Sequence, residues 1–164
     1  MVIKTAKIKR IYGEMMEKRF FDEAFKLAQI AYKKDEVPVG AVIVKDGKII
    51  GRARNMRQKT RNATAHAEIL AIEKACKKIK DFRLTGCDIY VMLEPCVMCL
   101  GAIINARIDN LYFAARINKP DTITSEELAA RAGLNHNLKI VQFDENDRCG
   151  SLVSGYFAQK RKKK

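Results

Sequence analysis

Four side chains that bind metals or move protons are grouped in two short stretches of the sequence. The first stretch, TAHAE, holds His66 and Glu68, and the second, PCVMC, holds Cys96 and Cys99. Imidazole and thiolate are ligands of zinc, and catalytic zinc sites have three protein ligands with a fourth position open for water. Glu68 is not needed as a ligand, so its carboxylate can carry a proton between that water and a substrate. The pattern therefore predicts a catalytic zinc site with His66, Cys96 and Cys99 as ligands.

A structural zinc site is the alternative interpretation of the same residues. Such a site is closed by a fourth protein ligand. The remaining thiols and imidazole are Cys76, Cys87, Cys149 and His136, and none of them has motif spacing to the cluster. Cys76 and Cys87 are better explained as small core residues.

Both stretches are predicted to begin helices that follow strands. The hydrophobic periodicity and the turn signals give the order α-β-β-α-β-α-β-α-β-α. Within the second helix Thr64 is the expected N-cap, and Ser125 is the expected cap of the short fourth helix. The predicted elements are a helix from Arg19 to about Lys33, a hairpin turning at Asp46-Gly47, the helix TAHAEILAIEKACKKI, the strand CDIYVML, a helix from Cys96 to about Ala106, the strand NLYFAAR, the helix SEELAARAG, the strand LKIVQF and a helix from Cys149 to Gln159.

This order predicts an α/β fold. Strands that alternate with helices after an opening hairpin favour one mixed five-stranded sheet, antiparallel in the hairpin and parallel afterwards, in a three-layer α/β/α arrangement. Open sheets of this kind carry their sites at the carboxyl ends of the strands. The starts of the two metal-binding helices are therefore expected to converge there.

Composition and charge restrict the classes of function. The 164 residues are 48% apolar and 31% charged, which is typical of one globular domain, expected here to span 1–164. The five cysteines, an odd number, do not favour a disulfide framework. The sequence has neither an apolar run of about 20 residues nor a secretory signal, which predicts a cytoplasmic protein.

The net charge of +13 is concentrated in basic tails, KTAKIKR near the start and KRKKK at the end. An excess of this size favours a partner rich in phosphate, although Lys-rich tails also serve only to keep a protein soluble. A free nucleobase or nucleoside would gain little affinity from this field, whereas RNA would gain both affinity and association rate.

The motif H-x-E followed by P-C-x-x-C is typical of zinc-dependent nucleobase deaminases. Over most of its length the chain resembles the cytidine deaminase superfamily, and within it the bacterial tRNA-specific adenosine deaminases. The resemblance rests on EVPVGAVIV, ATAHAEILA, YVMLEPCVMCLGAIINARI and GLNHNLKIV. It implies a cytidine deaminase-like fold, one Zn²⁺ per subunit, and hydrolytic deamination of adenosine to inosine at the wobble position of a tRNA anticodon, a form of RNA editing.

The resemblance also implies roles for individual residues. Glu68 would protonate N1 of the adenine and then the departing amine, while Asn55 would form a hydrogen bond to the purine. The backbone N–H of Ala67 would contact the edge of the base. Val39 and Leu93 would line the pocket, although both are equally well explained as core residues of strands.

By the same resemblance, the protein would be a homodimer whose RNA site includes residues of both subunits. The partner would be the anticodon stem-loop of a tRNA. Lys119 and the closing stretch with Tyr156, Phe157, Lys160 and Arg161 are the predicted RNA-binding residues, because aromatic rings stack on loop bases and basic side chains neutralise phosphates. We expect one aromatic residue of the pair to pack in the core instead.

The chain departs from this family after YFAAR, where INKPDTITSEE retains only Lys119 in register, and at Asn62-Ala63, where the family frequently has Asp-Pro. The departures leave two other functions open. One is a deaminase of a free nucleobase or nucleoside of the guanine or cytosine type, or of a pterin-like molecule. The other is a zinc-stabilised RNA-binding module without catalysis, in which Glu68 would have no evident purpose.

Overall fold

The helices and strands are defined over most of the chain. The computed structural model describes residues 2–116, 124–131, 133, 136–143 and 146–162, with side chains from residue 17 onward except that of residue 146. The elements are α1 (Val2–Lys33), β1 (Gly40–Lys45), β2 (Lys48–Arg54), α2 (Arg57–Thr60), α3 (Ala67–Ile79), β3 (Cys87–Leu93), α4 (Val97–Asn105), β4 (Asn110–Ala115), α5 (Ser125–Arg131), β5 (Lys139–Gln142) and α6 (Asn146–Lys162). No helix among these residues combines the length and the apolar character that crossing a membrane requires.

The predicted order of elements is confirmed, with one addition, the single-turn helix α2. Helix α1 begins at Val2 and not at Arg19, so the predicted basic N-terminal tail is part of this helix. The cap of α3 was predicted wrongly, since His66 occupies the N-cap position and Thr64 donates its hydroxyl to Asn62 Oδ1 at 2.8 Å. The cap of α5 also differs from the prediction. Thr124 Oγ1 accepts the N–H of Glu127 at 3.2 Å, and Glu127 accepts the N–H of Thr124 at 2.9 Å, which is a capping box.

The sheet is mixed, as predicted. Its strand order is β2-β1-β3-β4-β5, with β3, β4 and β5 mutually parallel. β1 is antiparallel to both of its neighbours, β2 and β3. Asp46 and Gly47 both have positive φ, 48° and 69°, as a tight two-residue hairpin turn requires.

Two glycines let helices lie directly on the hairpin. A Cβ on Gly40 would lie 2.0 Å from the carbonyl oxygen of Ala24 in α1, and a Cβ on Gly51 would lie 2.4 Å from that of Ala71 in α3. Gly51 pairs with Ile43, three residues from Gly40, so the two glycines face opposite sides of the sheet. The hairpin therefore sets the separation of α1 and α3, and α3 is the helix that carries Glu68.

We expect Gly51→Ala to lower the free energy of unfolding by about 1–3 kcal/mol, because the new methyl group would press on a backbone oxygen that cannot rotate away. Gly150→Ala in α6 is the matched control, since a Cβ there meets nothing within 4 Å. That control should be neutral or stabilising, because alanine favours helix over glycine. Urea unfolding of the two variants measures the difference, and equal stabilities would show that α3 moves to admit a side chain at Gly51.

Candidate metal centre and active site

The three predicted metal ligands lie at the starts of two helices. His66 is the N-cap residue of α3, Cys96 is the N-cap residue of α4, and Cys99 lies within the first turn of α4. Neither N-cap side chain forms a capping hydrogen bond. Both side chains therefore remain available for another partner, and the backbone alone begins the two helices.

The donor atoms are spaced as tetrahedral zinc requires. His66 Nδ1 lies 3.5 Å from Cys99 Sγ and 3.8 Å from Cys96 Sγ. Zinc bonded to imidazole nitrogen and thiolate sulfur at its usual distances separates such ligands by about 3.5–3.8 Å. Among the residues that the structure describes, this is the one group of three potential ligands whose donor atoms all lie within 4.8 Å of one another.

The residues considered for a fourth ligand lie elsewhere. Cys87 and Cys149 are buried in the hydrophobic core, and Cys76 Sγ lies 3.7 Å from the carbonyl oxygen of Phe82. The Nε2 atom of His136 is 2.6 Å from the carbonyl oxygen of Ile108. Within the described part of the chain the donor set is therefore a group of three, which is the number found in catalytic zinc sites.

The pKa values of the two thiols are shifted in opposite directions, so that one proton remains on the pair. A hydrogen bond from the Cys99 thiol is the main cause that lowers the pKa of Cys96 to about 5, and backbone N–H groups of Met98 and Cys99 act in the same direction. The pKa of Cys99 is raised, first by that hydrogen bond and then by burial. Cys96 is thus a thiolate at neutral pH, and a metal ion would displace the proton that remains on Cys99.

Glu68 is a buried carboxylate beside the three ligands. Only 4% of its surface is exposed, and its Oε2 atom is buried with no hydrogen-bond partner. Burial is the largest cause that raises the pKa of Glu68, to about 7. A carboxyl group with a pKa near neutrality can both take up and release a proton, as a general acid-base group must.

Asn55 is positioned by the start of α3. Its side-chain Oδ1 accepts the backbone N–H of Ala67 at 2.8 Å. The backbone N–H of Asn55 donates to the carbonyl oxygen of Val39 at 3.1 Å. Because Oδ1 is engaged, the Nδ2 group is the end of this buried amide that can donate to a ligand. The N–H of Ala67 thus bonds the side chain of Asn55 in this structure, and its contact with the edge of the base stays a prediction.

A cavity of about 420 Å³ lies over this group. Val39 and Leu93 line it and also belong to the hydrophobic core, so both interpretations of these two residues hold. The pocket thus combines apolar side chains with the metal-ligand group and Glu68. The predicted residues in its lining are Val39, Asn55, His66, Glu68, Leu93, Cys96 and Phe157.

Comparison with known proteins agrees with this geometry. The profile of the MafB19-like deaminase family matches residues 15–161. The chain is also 40% identical over 146 residues to the tRNA-specific adenosine deaminase of Bacillus subtilis (strain 168), an alignment that covers 88% of this chain and 91% of the relative. The chain belongs to the tRNA-specific adenosine deaminase family. The predicted resemblance is confirmed.

Solved structures place this deaminase in the same fold. One comes from a study of A-to-I editing by tRNA:A34 deaminases at the wobble position of transfer RNA, and it has 35% identity and a TM-score of 0.76, with 82% of this chain and 99% of that chain covered. A guanine deaminase from Nitrosomonas europaea has 25% identity and a TM-score of 0.72, with 85% and 83% covered. The predicted cytidine deaminase-like fold is therefore confirmed.

The closing helix of the deaminase separates its two aromatic residues. Tyr156 is buried and donates its hydroxyl to the carbonyl oxygen of Asp35 at 3.0 Å, whereas Phe157 is 41% exposed and lines the pocket. Lys160 forms an ion pair with Asp35 at 2.6 Å, and Arg161 is exposed. Of the predicted RNA contacts, Phe157 and Arg161 are therefore exposed at the surface, although the Phe157 ring also contacts Tyr156 edge-on. Lys119 lies outside the described residues.

Several pocket residues of the deaminase were not predicted. Glu94 had a signal, because it directly precedes Pro95 and Cys96 in the motif. Pro95 and Val97 lie inside the same motif, directly before and after Cys96. The remaining residues come from separate elements and carry no local pattern that marks them. The unpredicted lining residues are Val37, Arg57, Glu94, Pro95, Val97, Ser125 and Leu128.

Proposed function

We propose that this protein deaminates adenosine to inosine at the wobble position of a tRNA anticodon, in the cytoplasm, with one zinc ion per subunit held by His66, Cys96 and Cys99. The observation that carries the proposal is the buried, unpartnered carboxylate oxygen of Glu68 beside a three-donor metal site. A carboxylate in such a position costs stability and is retained where it serves a reaction. The family membership supplies the reaction.

The proton transfers follow from the site. When zinc is bound, it supplies a water molecule that is activated at neutral pH. Glu68 would take one proton from the attacking water and pass it to N1 of the adenine as the C6–O bond forms. It would then take the remaining proton from the new C6 hydroxyl and deliver it to the exocyclic nitrogen, so that the C6–N bond breaks, the C6 carbonyl of inosine forms and ammonia departs. The near-neutral pKa of Glu68 suits both directions of transfer.

The side-chain amide of Asn55 orients the purine of the substrate. The N–H of Ala67 donates to Oδ1 and so fixes the orientation of the Asn55 amide. In this orientation the Nδ2 group can donate a hydrogen bond to an acceptor on the purine. Asn55 is 4% exposed, so this hydrogen bond would form away from competing water. Val39 and Leu93 provide apolar walls for the faces of the base.

The charge and the mouth of the pocket support an RNA substrate. Arg57 and Phe157 line the cavity and are exposed, so a cation and an aromatic ring stand at its opening. The last turn of α6 carries Lys160, Arg161 and Lys162. Anticodon loops present unstacked bases whose extrusion costs little, and the wobble adenosine is such a base.

The exposed face of α4 supports a homodimer. Val97 is 70% exposed and Met98 is 36% exposed, and both lie next to the metal ligands. Two large apolar side chains on the surface of one helix favour burial against a partner. Since Val97 also lines the pocket, a second subunit bound to this face would lie at the edge of the RNA site.

A free nucleobase is the second candidate substrate, favoured by the similarity in fold to the guanine deaminase of Nitrosomonas europaea. The two candidates differ in how substrate binding responds to salt. RNA binding releases counterions, so the affinity falls steeply as salt rises, whereas a neutral base binds with little salt dependence.

The experiment offers the zinc-loaded protein an anticodon stem-loop with adenosine at the wobble position and, in parallel, guanine, cytosine, cytidine and free adenosine. We expect inosine in the stem-loop alone, with KM rising about tenfold or more between 50 and 200 mM salt. A stem-loop with guanosine at the same position is the control. Turnover of a free base with the stem-loop unchanged would assign the protein to the small-molecule deaminases, and a salt-independent KM would remove the role of the basic tails.

A further inference from the structure

Glu94 joins the metal-binding edge of the sheet to helix α5. Its Oε1 accepts the backbone N–H of Ser125, the first residue of α5, at 2.8 Å. Its Oε2 lies 3.5 Å from Arg116 Nε, at the end of β4. One carboxylate thus contacts the two residues that stand on either side of the 117–124 segment, where the sequence departs from its family.

Both ends of this contact are held in place. The N–H of Glu94 donates to the carbonyl oxygen of Ala115 at 2.8 Å and so extends the pairing of β3 with β4. The guanidinium of Arg116 lies 5.0 Å from the centre of the Phe113 ring and also bonds Glu126 at 2.9 Å. The Glu94 side chain is only 10% exposed, so its contacts are little weakened by solvent.

The contact bears on the substrate pocket because α5 forms part of its wall. Ser125 is 3% exposed and lines the cavity together with Leu128, one turn further along α5. Glu94 lines the same cavity and lies two residues before Cys96. A shift of α5 would therefore change the shape of the pocket without moving the metal ligands.

We propose that Glu94 is a positioning residue that holds the α5 wall against the substrate and thereby sets the affinity for the target nucleotide. The inference rests on the proposed function only for the identity of that substrate. Glu94 takes no part in proton transfer, which belongs to Glu68. Its effect is therefore on binding that the ground state and the transition state share.

The test compares Glu94→Ala, Glu94→Gln and Glu126→Gln in zinc-loaded protein with the stem-loop substrate. Loss of a buried, charge-assisted hydrogen bond predicts a rise in KM of about tenfold to a hundredfold for Glu94→Ala, with kcat and zinc content nearly unchanged. Glu94→Gln keeps an acceptor for the Ser125 N–H but not the charge that faces Arg116, so its KM should be intermediate. Glu126 is 46% exposed, and without it Arg116 keeps its contacts with Glu94 and the Phe113 ring, so Glu126→Gln should leave KM within about twofold.

Amide hydrogen exchange gives a readout that does not need turnover. In Glu94→Ala the amides of α5, that of Ser125 above all, should exchange faster, while those of β3 keep wild-type rates and show that the variant is folded. Wild-type KM with unchanged exchange in α5 would overturn the proposal. A loss of zinc and kcat at constant KM would mean that Glu94 acts through Cys96 instead.

The two proposals fail in different ways. If the wild-type protein deaminates a free base rather than the stem-loop, the proposed function is wrong. The KM values of the same variants are then measured with that base as substrate, and amide hydrogen exchange in α5 is measured as before. If the wild-type protein edits the stem-loop and Glu94→Ala does so with unaltered KM and exchange, only the role of Glu94 is wrong.

Discussion

Glu68→Gln should retain zinc and fold but lose turnover by about a hundredfold to ten-thousandfold, the contribution of a positioned general acid-base group. Glutamine has the shape of glutamate and cannot accept a proton at neutral pH. It should not destabilise the protein, because the wild-type residue is a buried carboxylate with an unpartnered oxygen, which costs free energy in the folded state. Single-turnover formation of inosine, with zinc content and urea unfolding on the same sample, measures all three quantities.

Glu73→Gln is the matched control for this substitution. Glu73 lies on the exposed side of the same helix, so the change in charge is the same but the pocket is untouched. The control should edit at the wild-type rate. Glu68→Gln protein with full zinc and a rate close to wild type would remove Glu68 from the mechanism, whereas loss of zinc in this variant would make Glu68 a ligand rather than a proton carrier.

Cys99→Ala should reduce zinc well below one ion per chain and abolish turnover. The variant retains only His66 and Cys96 as donors, which is one fewer than catalytic zinc sites use. Because a bound ion stabilises only the folded state, we expect the free energy of unfolding in the presence of zinc to fall by about 3 kcal/mol or more. Metal analysis and urea unfolding with and without a chelator measure the effect.

Cys149→Ala separates this effect from the loss of a buried thiol. Cys149 is 1% exposed and Cys99 is fully buried, so both substitutions remove a sulfur atom from the interior. The control should keep its zinc and show the same stability difference as wild type when the chelator is added. Cys99→Ala protein that still contains one tightly bound zinc would contradict the ligand assignment.

The grouping of the three candidate metal ligands was predictable because these residues lie in short motifs at junctions between strands and helices. His66, Cys96 and Cys99 need only local sequence to be recognised, and two helix starts at one edge of a sheet bring them together. The alternation of elements likewise indicated the mixed sheet. The antiparallel pairing of β1 with β3 was not indicated, because residues 46–86 separate these two strands and no turn signal links them.

Contacts between residues that are distant along the chain could not be predicted. The bond from Glu94 to Ser125 spans 31 residues and that from Tyr156 to Asp35 spans 121 residues, and neither has a local signature. Tyr156 and Phe157 differ by one position on a helix, so which ring enters the core depends on how α6 is rotated against α1. Helix α2 has four residues and none of them is buried, so it shows no hydrophobic periodicity.

The attachment of α6 through Asp35 determines when, during synthesis, the active site becomes complete. A nascent chain that extends through β5 already contains the three metal ligands and Glu68, but it lacks Phe157 and the Tyr156 hydroxyl that fixes α6 to the end of α1. The candidate metal ligands and the α6 side of the pocket are therefore supplied by different parts of the chain, and the residues for metal binding and proton transfer are synthesised before those of the α6 side.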